Sequence, residues 1–108
     1  MNLTDNALDS LYATLQDRKK ADPGSSYVAG LHAKGLDAIL KKIGEESAEV
    51  LLAAKGGDKP ALVHELADLW FHSLVLMSAK DIAPAEVLTE LSRRKGRSGL
   101  EEKASRTK

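Results

Sequence analysis

The stretch GLDAILKKIGEESAEVLLAAKGGDKPALVHELADLWFHSLVLMSAK, residues 35–80, decides the fold of this chain. The pair Gly56-Gly57 divides it into two halves, and each half repeats apolar residues at intervals of three and four. That period is the one of a helix packed along one face. In the first half Ile39, Ile43, Glu46, Val50 and Ala53 form one stripe, so Glu46 takes a core position. In the second half Ala61, Glu65, Asp68, His72, Val75 and Ala79 share a line. The rest of that second helix is largely apolar, including Leu62, Val63, Leu66, Leu69, Trp70, Phe71, Leu74 and Met77. A helix apolar on nearly every side is usually buried on nearly every side, and its mid-helix acids then cannot all turn to water.

Five carboxylates therefore stand out: Glu45, Glu46 and Glu49 in KIGEESAEV, then Glu65 and Asp68 in HELADLW. At a helical period, Glu45 and Glu46 each share a face with Glu49, as Glu65 does with Asp68. If the two helices pack antiparallel, the groups meet. Two like charges about 6 Å apart repel by about 0.7 kcal/mol in water and about 3 kcal/mol at an effective dielectric near 20. Several such pairs would consume much of a small domain's stability of about 5–15 kcal/mol. The acids must be solvated, protonated or bound to cations. An all-oxygen donor set suits Mg²⁺ or Mn²⁺ better than Zn²⁺, and Mg²⁺ commonly works with substrate phosphates. Lys41 and Lys42, four residues before Glu45 and Glu46, also allow ordinary surface ion pairs. Spacing alone leaves a solvated acidic face open.

Working outward, Asp5 to Lys19 reads as a first main helix with Leu8, Leu11, Tyr12 and Leu15 on one face. It stops before the turn Asp22-Pro23-Gly24. Ser25 and Ser26 can cap a short helix that ends near Gly35. Leu36 to Lys55 is the second main helix. The third starts with Asp58 as cap, tolerates Pro60 in its first turn and runs to about Ala79. Pro84 opens a fourth that ends before Gly96. The expectation is an all-α, four-helix-bundle-type fold forming a single domain over residues 1–108, with a tail over 97–108 that is polar and loosely ordered. The third helix has more apolar perimeter than one small bundle covers, which argues for a two-fold homodimer.

The chain holds 16 Lys plus Arg against 16 Asp plus Glu, so no overall field for nucleic acid is implied. Cysteine is absent, which removes disulfide and thiolate chemistry. No apolar run reaches the roughly 20 residues needed to span a bilayer. MNLTDNALDS lacks the basic-then-apolar order of a secretory signal. A cytoplasmic location, with no membrane or nucleic-acid partner, is the expectation. The basic run Arg93, Arg94, Lys95 and Arg97 offers phosphate contacts or a solvated helix end favoured by the macrodipole.

KIGEESAEV followed by HELADLW resembles the EE-x-x-E and E-x-x-D signature of the all-α, MazG-like nucleoside triphosphate pyrophosphohydrolases. Within that superfamily, GLDAILKKIGEESAEVLLAAK, ELADLWFHSLVLM and LSRRKGRSGLEEKASR resemble the phosphoribosyl-ATP pyrophosphatase family in its stand-alone form. LDSLYATLQDRK and SSYVAGLHAKG fit it too. The resemblance implies hydrolysis of phosphoribosyl-ATP to phosphoribosyl-AMP and pyrophosphate in histidine biosynthesis. It implies Glu46, Glu49, Glu65 and Asp68 as metal ligands, with Glu45 as a further acid. Glu45 or Glu49 could take the proton of the attacking water. Lys42, Arg93 and Arg94 are candidates for substrate phosphates, with Arg18 and Lys34 as further cations. His72, one turn beyond Asp68, either orients that region or is a hydrogen-bonded core histidine. The same fold with a deoxynucleoside triphosphate substrate, and a non-catalytic helical dimerisation module, are the competing readings.

Overall fold

A computed structural model describes residues 7–96 and 98–106. Every regular element among them is helical: α1 (Ala7–Arg18), α2 (Tyr27–Lys34), α3 (Leu36–Gly56), α4 (Lys59–Ala79), α5 (Pro84–Arg93), a 3-10 turn (Arg94–Gly96) and α6 (Gly99–Arg106). The fold is all-α, as the periodicity requires. No described helix is long and apolar enough to cross a membrane.

Local chemistry sets the boundaries. Ser26 Oγ accepts from the Ala29 amide at 3.1 Å and so caps α2. Gly35, at φ 102°, turns the chain sharply between α2 and α3. Gly57, at φ 78°, closes α3 in the left-handed conformation that a Cβ disfavours. Asp58 does stand at the head of α4, but its side chain makes no capping bond there. Its backbone carbonyl takes the first helical bond instead, from Leu62 at 3.0 Å. Pro60 sits in the first turn, where its missing N–H costs nothing. The Ala83 amide donates to Glu86 Oε2 at 2.8 Å and starts α5. Asp5, expected to begin the first helix, lies outside the described residues.

Helices α3 and α4 form the most extensive packed pair, with α1 and α2 laid across them. Their apolar faces meet in a core of Leu15, Val28, Leu31, Ile39, Leu74 and Val75. One polar bond crosses it: Ser78 Oγ, fully buried, donates to Gln16 Oε1 at 2.6 Å and ties α4 to α1. The outer side of α4 is not covered, and Trp70 is 61% exposed.

Beyond α5, the structure departs from the expected loose tail. Gly99–Arg106 is a helix whose Glu102 is 7% exposed. Arg93 donates to both Glu102 oxygens, at 2.7 and 2.8 Å, and also to Glu90. A planar guanidinium meeting a carboxylate in pairs is a strong, directional contact. The sequence reading missed it because the partner lies nine residues away and the tail has few apolar residues of its own. Ser98 Oγ accepting from the Glu101 amide at 3.0 Å starts the helix locally.

Two outcomes test this account. Ile39→Ala, at a site 1% exposed, should cost about 2–5 kcal/mol of unfolding free energy in urea denaturation. Hydrogen bonds from Arg93 and Arg94 hold the Glu90 carboxyl down at about 2 rather than 4.5. A depressed carboxyl pKa stabilises the fold above the unfolded value, and that contribution fades as pH falls through the folded one. The Glu90 carboxyl resonance should thus titrate near 2. A midpoint near 4.5 would mean that the arginine network is not formed in solution.

Candidate active site

Helix α3 places Glu45, Glu46 and Glu49, and helix α4 places His64, Glu65 and Asp68, on the two most closely packed elements of the fold. Glu46 is 9% exposed, as its place in the apolar stripe requires. Glu45 and Glu49 are exposed, while Glu65 and Asp68 are half-buried. Lys42 answers the buried charge: its Nζ lies 3.5 Å from Glu46 Oε1 and 3.6 Å from Glu45 Oε1.

Tyr27 stands at the start of α2. Its phenol feels Lys42, Glu46 and Glu45 from α3 and Asp68 from α4. Although 54% of the residue is exposed, its hydroxyl end is turned in against His72. Burial there, opposed by Lys42, raises its pKa above that of an ordinary phenol. Lys42 is pushed up in turn, chiefly by Tyr27 and then by Glu46 and Glu45, against the cost of desolvation. The ammonium therefore stays charged throughout the physiological range.

The Tyr27 hydroxyl lies 2.7 Å from His72 Nε2, and His72 Nδ1 lies 2.8 Å from the Asp68 backbone oxygen. A carbonyl can only accept, so Nδ1 carries the proton, and in the neutral ring Nε2 accepts from the phenol. His72 is 5% exposed and its ring stands edge-on to both Tyr27 and Phe71. It bonds to the Asp68 backbone and leaves that carboxylate free to face elsewhere. His72 is thus a hydrogen-bonded core histidine that also fixes Tyr27.

Among the described residues, one set of three ligating groups has its donor atoms within 4.8 Å of one another: His64, Glu65 and Asp68, all on α4. His64 Nε2 approaches Asp68 Oδ2 to 3.4 Å. Glu46 and Glu49 lie outside that set. Sequence reasoning passed over His64 and Tyr27. The signal for His64 was its place one turn before Asp68; for Tyr27 there was none, since its partner is 45 positions away. Glu65 and Asp68 offer carboxylate oxygens, which fit a hard divalent cation, and on α3 Glu46 is a buried carboxylate with a single lysine to offset it.

Arg93 and Arg94, the candidates for substrate phosphates, meet carboxylates in this structure. Arg93 holds Glu90 and Glu102, and Arg94 Nε donates to Glu90 Oε2 at 3.0 Å. Arg97 lies outside the described residues.

Comparison with known proteins bears on what this arrangement does. A family model described as phosphoribosyl-ATP pyrophosphohydrolase matches residues 8–95. A phosphoribosyl-ATP pyrophosphatase of Geobacter sulfurreducens is 56% identical over 106 residues, covering 98% of this chain and 98% of the relative. One from Burkholderia cenocepacia is 56% identical over 107 residues, covering 95% of this chain and 88% of the relative. One from Methylibium petroleiphilum is 54% identical over 102 residues, covering 94% and 85%. With the family's match spanning α1 to the end of α5, and with likeness to whole relatives running through α6, this chain belongs to the phosphoribosyl-ATP pyrophosphohydrolase family.

Proposed function

We propose that this chain hydrolyses phosphoribosyl-ATP to phosphoribosyl-AMP and pyrophosphate, the second step of histidine biosynthesis. The observation that carries the reading is the placement of five carboxylates on two closely packed helices, α3 and α4, in a chain whose relatives bear that enzyme's name. The products fix the bond that breaks as the one between the α- and β-phosphoryl groups. Water supplies the new oxygen, pyrophosphate leaves with the bonding pair, and a carboxylate takes the water's proton.

Glu46, Glu49, Glu65 and Asp68 would hold Mg²⁺, or Mn²⁺ in its place, with His64 close enough to Asp68 to orient it. When bound, such an ion supplies positive charge against the triphosphate and the leaving pyrophosphate. Glu45 or Glu49 serves as general base. Glu45 is held by Lys42, whereas Glu49 has no ion-pair partner among the described residues, so it is the freer of the two. Lys42 stands charged beside both acids of α3 and can meet a phosphate oxygen as it now meets Glu46. Tyr27 and His72 form the wall of the site and keep its hydrogen bonds internal.

The working unit is a homodimer of single-domain chains in the cytoplasm. Val63, Leu66 and Trp70 leave the outer side of α4 uncovered. Beside them runs a groove of about 200 Å³ lined by Leu8, Trp70, Leu74, Met77, Leu88 and Leu91. Contiguous apolar surface of this kind usually marks an interface, and a two-fold pairing closes it with one patch.

Glu49→Gln and Asp68→Asn each remove a charge while keeping shape. Each should keep the helical circular dichroism and lower Mg²⁺-dependent pyrophosphate release from phosphoribosyl-ATP by about a hundred- to thousandfold. Thermal stability without metal should rise or stay level, because repulsion falls. Near-normal turnover in either variant would take that residue out of the chemistry, and preferred cleavage of dUTP or dCTP would overturn the substrate. Sedimentation at micromolar concentration should give twice the chain mass; a monomer would defeat the pairing through α4.

A further inference from the structure

The substrate proposed above carries a phosphate that the acid seam cannot recognise. Phosphoribosyl-ATP has its triphosphate at one end and a ribose phosphate at the other, with the purine between them. Carboxylates and their cation deal with the triphosphate. The second phosphate is an anion too, and acidic side chains repel it, so it must sit elsewhere with a cation of its own.

Of the cations considered for phosphate contacts, Lys42, Arg93 and Arg94 are already in ion pairs. Lys42 is shared between Glu45 and Glu46, Lys19 reaches Asp81 at 3.8 Å, and Arg93 and Arg94 hold Glu90 and Glu102. Arg18 and Lys34 have no ion-pair partner among the described residues, and of these two Lys34 lines a groove. Lys34 lies at the end of α2, and the groove, of about 420 Å³, runs between that helix and the loop before it. Pro23, Ser25, Tyr27 and Gly30 line the same groove. Its volume falls within the roughly 300–1,000 Å³ of small-molecule sites. Ser25 adds a hydroxyl at its rim, at present given to the Asp22 carbonyl at 3.3 Å in an exposed turn. Gly30 also lines it, and a Cβ there would make ordinary contact, at 3.5 Å, with the Pro23 carbonyl oxygen.

Tyr27 joins the two regions. Its side lines the groove, while its hydroxyl reaches His72 beside the acids. The bond to His72 holds the ring in one orientation with 54% of the residue exposed. A fixed aromatic face between two anion-binding regions is suited to a purine, because every base has a π-face that stacks.

The geometry points to the groove beside α2 as the subsite for the phosphoribosyl end of the substrate, with Lys34 as the phosphate's cation and the Tyr27 ring as the purine's platform. The inference rests on the substrate reading given above. It makes this groove, and not the acid seam, the place where a phosphoribosylated nucleotide is told from a plain one.

The test compares Lys34→Gln, Lys34→Arg and Gly30→Ala with the parent chain. Losing one charge-assisted contact to phosphate corresponds to a roughly ten- to hundredfold change. Lys34→Gln should raise KM for phosphoribosyl-ATP by that factor, with the loss falling on KM and not on kcat, and Lys34→Arg should restore most of it. Gly30→Ala should raise KM as well while raising Tm, since alanine favours the helix and the added methyl narrows the groove. An unchanged KM in Gly30→Ala would mean that this position does not line the subsite. Ribose 5-phosphate alone, followed by amide resonances, should shift Ser25, Gly30 and Lys34 in the parent and bind Lys34→Gln at least tenfold more weakly. A KM for Lys34→Gln within twofold of the parent, or ribose 5-phosphate shifts confined to other residues, overturns the subsite. If the parent binds ribose 5-phosphate here but does not cleave phosphoribosyl-ATP, the substrate reading fails and the groove stands as a ribose-phosphate site. If it does neither, both fail.

Discussion

A carboxylate cannot be packed into a helix seam without positive charge to answer it, and this constraint organises the molecule. Glu46 occupies a position in α3 that any apolar residue would fill at less cost. Its burial is sustained by Lys42 one turn earlier, and the same lysine also holds Glu45. One lysine does not balance the five carboxylates that α3 and α4 carry. In a protein whose overall charge is zero, the imbalance is local. That is the physical condition under which a cation and a polyphosphate bind together, each answering the other's charge.

Helix α2 is short, yet it connects the parts. Capped by Ser26 and closed at Gly35, it presents Tyr27 toward α4 and buries Val28, Ala29 and Leu31 in the core. The hydrogen bonds from Tyr27 to His72 and from His72 to the Asp68 backbone then fix one wall of the site from behind. Because those bonds are internal and one is to backbone, they leave the Asp68 carboxylate unused. The outward side of the same helix lines the groove with Lys34. A single two-turn element therefore faces both the acid-bearing helix α4 and that groove.

The end of the chain uses charge for a different purpose. The tail has too little apolar surface to dock by burial, so Glu102 is inserted between Arg93 and Arg94 of the preceding segment. Arginine suits this because its rigid fork can satisfy two carboxylates at once, here Glu90 and Glu102. Arg93 and Arg94 thereby clamp α6.

Much of this was legible in the residues themselves. The three-four spacing in 35–80, the Gly56-Gly57 break and Pro60 and Pro84 near helix starts determined an all-helical chain and the order of its main elements, because those signals act within a few residues of backbone. The two acid groups were visible for the same reason: each is a local repeat on one helix face. The tertiary structure alone decided what lies between them. Tyr27 meets His72 across 45 positions, and Glu102 meets Arg93 across nine. Whether Glu46 is buried, whether Lys42 or Arg93 is free, and which side of α4 is left uncovered depend on which faces meet in space. Periodicity says that a face will be buried; only packing says against what.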